Sequence, residues 1–156
     1  VSRATREAFE HALWHEDADA SSFTLLYGHA NDALKAADIG LVASGTATLE
    51  AALARCPQVV FYRVAPLTAR IVQRTLLVPW VGLPNVLAGR FVVPELLQED
   101  ATPANLAQAA LNLFDDTVTR HALERLFAGF ARELSADTGA IAADAVANEL
   151  ALATSG

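Results

Sequence analysis

Ser44, Gly45, Thr46 and Glu50 stand close together in the stretch "ASGTATLEAAL" (43–53). Glycine lets a backbone approach a ligand closely. Two hydroxyl residues flank it, and good helix formers follow at once. A helix that begins here leaves its first amides unpaired, and those amides together with the helix dipole favour an anion such as a phosphate. The plainer alternative makes Ser44 or Thr46 an N-cap, a role worth about 1 kcal/mol. A capping box does not apply, because it needs Ser or Thr three residues before the acid and that position is Ala47. Glu50 instead follows Thr46 by four, so the two share one helix face about 5.4 Å apart. A carboxylate there is placed to accept from a ribose diol, or to complement the dipole as a solvated acid.

A second group lies in "LPNVLAGRFVVPELLQED" (83–100), where Asn85, Gly89, Arg90, Glu95 and Gln98 interrupt an apolar background. Irregular loops of this kind carry function when a rigid sheet positions them. The alternative is a surface connection in which Pro94 opens a short helix. Arg70 and Arg74 lie four apart on an expected helix, either as a basic amphipathic face for lipid headgroups or as an ordinary surface. His11, His15, His29 and His121 are scattered. The first two share a helix face without a third ligand, so the reading assigns no metal. His29 falls at the same sheet edge as Ser44, either near a ligand or as a loop residue. Cys56, beside Pro57 at a helix end, reads as buried and inert.

The elements that must hold these residues alternate. A helix over 3–16 carries Phe9, Leu13 and Trp14. "SFTLLYG" (22–28) reads as a short strand, "ANDALKAAD" (30–38) as a helix that Asn31 or Asp32 caps, and "IGLVAS" (39–44) as an apolar strand. A helix over 46–56, a strand over 57–64 and a helix over 66–77 follow. Residues 78–98 read as irregular, and three helices near 103–114, 118–135 and 138–152 complete the chain. Apolar, non-alternating strands between helices predict a parallel sheet covered on both faces. Such sheets bind ligands at the carboxyl ends of their strands, which is where Ser44 falls. The expected architecture is α/β, part of a Rossmann-like sheet followed by a helical C-terminal tail.

Composition narrows the function. The chain has 156 residues, is 53% hydrophobic and only 19% charged, and suits a globular domain with a real core. A net charge of −7, with ten arginines and one lysine, argues against nucleic acid as a partner. One cysteine excludes an internal disulfide. The longest uncharged run, Thr75 to Gly89, is broken by Pro79 and Pro84 and is too short to span a bilayer. The opening "VSRATREAFEHALWHE" reads as a helix already in progress, with no methionine anywhere, as in a piece of a longer protein.

Three blocks in order, "ASGTATLEAAL", "CPQVVFYRVAPLTA" and "LPNVLAGRFVVPELLQEDATPANLA", closely resemble the C-terminal half of the lipid-A-disaccharide synthases, glycosyltransferases of the GT-B type. The resemblance runs from about residue 6 to residue 150. It implies a UDP-sugar-binding domain over 1–115, incomplete at its N-terminus, and C-terminal helices over 116–156 that pack on the domain or on a partner protomer. It implies that Ser44, Gly45 and Thr46 bind the diphosphate and that Glu50 meets the uridine ribose. Tyr62 and Arg63 match a "YR" pair lining the cleft. Asn85, Gly89, Glu95 and Gln98 match positions near the donor sugar or its loop. The family's reaction joins UDP-2,3-diacylglucosamine to 2,3-diacylglucosamine 1-phosphate with inversion, giving UDP and the β-1,6-linked lipid A precursor. The resemblance implies no cofactor and no metal. It implies a cytoplasmic protein peripherally attached to the inner membrane through the parent chain, and a homodimer through exchanged C-terminal helices. The general base is expected in an N-terminal domain absent from this sequence, so no residue here is assigned as catalytic and the chain alone is expected to be inactive. Two readings stand beside this one: another GT-B enzyme of UDP-sugars, such as a UDP-GlcNAc epimerase or a peptidoglycan transferase, and a non-catalytic assembly module.

Overall fold

The computed structural model describes residues 3–65, 79–135 and 138–154. The expected helix over 66–77, with Arg70 and Arg74, lies outside them. The elements are α1 (Arg3–His15), α2 (Ala30–Ala36), β1 (Gly40–Ala43), α3 (Thr46–Leu53), β2 (Gln58–Tyr62), α4 (Leu83–Ala88), β3 (Glu95–Leu97), α5 (Pro103–Asp115), α6 (Thr117–Leu134) and α7 (Thr138–Thr154). Short 3₁₀ turns occupy Ala20–Ser22 and Gln98–Asp100.

The three strands form one parallel sheet in the order β1-β2-β3. Val42 pairs with Val60, and Tyr62 with Leu97. This is the expected α/β, Rossmann-like arrangement ending in helices. β2 is central. Val59 and Val60 point to opposite faces of the sheet, yet both are fully buried, so both faces of this strand are covered. β1 departs from the expectation: Leu41 is 51% exposed, so its outward face is open among the described residues.

The core gathers Ala52, Val59, Val60 and Val93 with Leu113 of α5 and Leu123, Phe127 and Phe130 of α6. A smaller cluster of Val42, Ala51 and Cys56, with Leu34 against it, seats α3 on β1. Fully burying side chains of this size contributes about 1.5–3 kcal/mol each, and this packing holds the start of α3 at the sheet's edge. Pro103 and its cap Thr102, whose hydroxyl accepts from Asn105 N, begin α5. Asp116 caps α6 through Thr119 N.

Three further expectations need correction. Residues 22–28 form no strand: no strand of the described sheet pairs with them, and Phe23, Leu25, Leu26 and Tyr27 are exposed. β-propensity records how well a side chain fits a pleated, half-buried surface, and this segment has no such neighbour. It lies instead along α1, with Phe23 edge-on to Phe9 at 5.8 Å between ring centroids. Second, α2 is capped neither by Asn31 nor by Asp32. Both fall inside its first turn, behind His29 at the N-cap, and His29 makes no capping bond with its side chain. Third, residues 79–98 are ordered into α4 and β3. Pro94 does not open a helix; it precedes the third strand, and its carbonyl accepts from Val60 N at 2.8 Å.

Candidate functional site

The parallel register brings the ends of the three strands to one edge. Ser44 follows β1, and its amide donates to Phe61 O at 2.9 Å. Tyr62 closes β2 and is half-buried, while Arg63 beyond it is exposed. Gln98 follows β3. The chain therefore collects Ser44, Tyr62, Arg63 and Gln98 along the carboxyl edge, where open α/β sheets take their ligands.

The turn from β1 into α3 is an open helix start without a side-chain cap. Its N-cap is Gly45 at φ +130°, a conformation that L side chains rarely adopt. A Cβ there would meet nothing within 4 Å, so backbone geometry alone demands glycine. Neither Ser44 nor Thr46 caps the helix, and no side chain among the described residues bonds its first amides. Among the described residues the N–H groups of Gly45, Thr46 and Ala47 have no hydrogen-bond partner, while Gly45, Thr46 and Glu50 face solvent. With α3 starting at Thr46, Glu50 lies one turn along the same exposed face. The amides and the dipole supply the positive end, and the carboxylate is free to accept from hydroxyl groups nearby.

The second group behaves differently. Asn85 is fully buried and uses its whole hydrogen-bonding capacity inside the protein. Its Oδ1 accepts from Val92 N (2.6 Å) and Val93 N (2.9 Å), and its Nδ2 donates to Val93 O (2.9 Å) and Glu95 Oε1 (2.7 Å). Glu95 is half-buried and accepts from Val81 N and Gly82 N, each at 3.0 Å. Gly82 leaves little room for a side chain, since a Cβ there would lie 3.0 Å from Glu95 Oε1 and 3.2 Å from Val60 Cγ2, and both would have to give by a few tenths of an ångström. Gln98, at the unusual φ of +50°, accepts from Val64 N at 3.3 Å and ties the ends of β2 and β3 together. Gly89 ends α4 in the left-handed conformation with φ +61°. Asn85, Glu95 and Gln98 thus each bond backbone groups, whereas Ser44, Gly45, Thr46, Glu50 and Arg63 keep exposed surface.

Thr48 escapes a reading by motif. It is fully buried one turn into α3, and Oγ1 donates to Gly45 O at 2.8 Å while accepting from Leu83 N at 3.2 Å. Its carbonyl accepts from Gln58 Nε2 at 2.9 Å. Its place as the third residue of an expected helix, next to "LPN" only in space, offered no local signal. His29 is exposed and pairs with Asp32 at 3.3 Å. Cys56 is buried, and burial first, with Asp38 second, pushes its thiol up to about 11. A cavity of about 440 Å³ lined by Lys35, Arg55, Pro57 and Arg125 opens near the start of β2, at the far end of the strands from Ser44. It does not include the α3 turn.

A partial Rossmann-like domain with an uncapped helix start at the carboxyl edge of a parallel sheet is the class these features define. Comparison with known proteins makes the assignment particular. The family model described as lipid-A-disaccharide synthetase matches residues 1–146. The chain is 50% identical over 146 residues to a lipid-A-disaccharide synthase of Dechloromonas aromatica (strain RCB), covering 94% of this chain and 38% of that one. It is 46% identical over 146 residues to the synthase of Chromobacterium violaceum, again covering 94% of this chain and 38% of the relative. The synthase of Cellvibrio japonicus (strain Ueda107) is 50% identical over 123 residues, covering 79% of this chain and 32% of that one. The chain belongs to the lipid-A-disaccharide synthetase family and spans under two-fifths of the length of these relatives.

Proposed function

We propose that the chain is the donor-nucleotide-binding half of an inverting glycosyltransferase. The whole enzyme transfers 2,3-diacylglucosamine from its UDP derivative to 2,3-diacylglucosamine 1-phosphate and yields the lipid A disaccharide precursor. The observation that carries this reading is the uncapped, solvent-facing start of α3, with Gly45 in a glycine-only conformation and Glu50 one turn behind. The names of the relatives support synthesis of the lipid A disaccharide as the activity of the whole enzyme.

In this reading the diphosphate sits against the amides of Gly45, Thr46 and Ala47. Negative charge grows on UDP as the anomeric bond breaks, and preorganised amides stabilise it without rearranging. Glu50 accepts from the ribose hydroxyls, and Tyr62 and Arg63 border the cleft. Asn85, Glu95 and Gln98 act by holding the loops, with Gly89 ending the helix between them. The base that activates the acceptor hydroxyl lies in the remainder of the whole protein. Residues 1–115 serve as the UDP-sugar domain, and 116–156 as helices for self-association. Ile141 and Val146 of α7 are exposed at 61% and 60%, which suits contact with a second protomer. Attachment of the whole protein to the cytoplasmic face of the inner membrane follows from its lipid substrates. No described helix is long and apolar enough to cross a membrane.

Titration of the chain with UDP, followed by calorimetry, tests the reading. Saturable binding is expected, with Glu50→Ala weakening it about tenfold, the scale of one charge-assisted hydrogen bond, and Gly45→Val abolishing it. Folded protein that binds no UDP, or variants that bind as well as the parent sequence, would sink the donor assignment. For the whole enzyme, turnover of UDP-GlcNAc but not of its diacylated form would move the function to another class of UDP-sugar enzyme.

A further inference from the structure

The geometry points to Thr48 and Glu95 as positioning residues that preset the α3 turn for a diphosphate, an inference that rests on the donor reading above. In a trans peptide the carbonyl and the amide of one unit point in opposite directions. The Gly45 carbonyl is held twice from inside the helix, by Thr48 N at 3.1 Å and by Thr48 Oγ1 at 2.8 Å. The Thr46 N–H belongs to the same peptide plane, so it is turned outward, toward the solvent-facing seat. Glycine at 45 makes this grip consequential, because a residue without Cβ is otherwise free to rotate its peptides.

The Thr48 hydroxyl is itself fixed from the other side. Its oxygen accepts from Leu83 N, and the Val81–Leu83 loop is held by the Glu95 carboxylate through Val81 N and Gly82 N. Asn85 braces that carboxylate in turn, donating to it at 2.7 Å. The same loop presents Val81 O to the Ser44 hydroxyl at 3.3 Å. Both ends of the turn are therefore tied to one loop, and that loop to one carboxylate. None of the hydrogen bonds found for Thr48 or Glu95 leaves the protein interior, so their action on a ligand runs through the turn. Preorganisation of this kind lowers the ordering cost of binding.

The test compares UDP with uridine by NMR titration of the chain, because only UDP uses the turn while both use Glu50. Thr48→Val keeps the shape and removes the hydroxyl. It is expected to weaken UDP about tenfold, the effect of one buried hydrogen bond, and to leave uridine unchanged. Thr48→Ser restores the hydroxyl and should restore UDP affinity. Glu95→Gln acts at the other end of the chain of bonds and should show the same selective loss. The double variant should lose little more than either single one, as members of one network do. Should Thr48→Val not fold, Glu95→Gln must show the selective loss alone. Equal losses for UDP and uridine, or none, overturn the positioning role while leaving the donor site intact. If the unmodified chain binds neither ligand, the donor reading fails and this inference goes with it.

Discussion

At the scale of single residues, spacing and neighbourhood divide the labour. Gly45 and Glu50 belong to a local pattern, since a glycine-started helix places an acid at the fifth residue beside the first turn whatever surrounds it. That part of the site was legible from "SGTATLE". The work of Asn85 and Glu95 was not, because the sequence shows which groups they carry and the fold decides where those groups point. Asn85 meets Val92 and Val93 only because the chain turns back between α4 and β3. Cys56 offers a prediction at this scale. Burial raises its thiol to about 11, so the folded state prefers the protonated form. That contribution is fully present below the ordinary thiol pKa, about 8.5, and is lost as pH rises through about 11. Iodoacetamide at pH 8 should therefore label the native chain on the order of a hundredfold more slowly than the urea-unfolded chain, where the thiol is free. Mass spectrometry of timed samples measures both rates, and equal rates would show an accessible thiolate.

At the scale of elements, the long periodic helices and the apolar strands β1 and β2 were readable, and the three-residue β3 was not. α5 and α6 fall within a residue or two of their expected bounds, because caps and periodicity are local signals. β3 has three residues and exists only through its pairing with β2, so nothing in "PELLQ" announced it. The converse error at 22–28 has the same origin: a β-rich composition without a partner strand makes no strand. The Asp116 cap of α6 carries a pH prediction. The Thr119 hydroxyl, then the Thr119 amide, hold its carboxyl below the usual range. A lowered folded-state pKa stabilises fully above the ordinary carboxylate value, about 3.9, and the stabilisation is lost as pH falls through the lowered one. Asp116→Asn, which still accepts from Thr119 N, should leave Tm near neutrality little changed and flatten its fall on the acid side. Thermal unfolding followed by circular dichroism between pH 7 and pH 3 checks this; an identical acid limb in the variant would remove the cap from the account.

At the scale of the whole molecule, α3 connects core and site, since its inner face packs on α6 and the sheet while its first turn faces solvent. Phe127 is fully buried against that core, so Phe127→Ala should cost about 3–5 kcal/mol. Val118, 77% exposed on the same helix, should tolerate alanine within about 0.5 kcal/mol. Urea denaturation measures both, and comparable losses at the two positions would contradict the placement of the core. The amino-acid sequence was enough to establish the α/β class, the family, the glycine turn and the acid one turn behind it, because each rests on residues near one another along the chain. The tertiary structure alone decided that the outer face of β1 stands open among the described residues, that "PELL" joins the described sheet, and that Asn85, Glu95 and Thr48 grip backbone. Those outcomes depend on contacts that range from Asn85 with Val92, 7 positions apart, to Leu83 with Thr48, 35 positions apart. Such pairings form only once the sheet and its helices pack, so no local pattern encodes them.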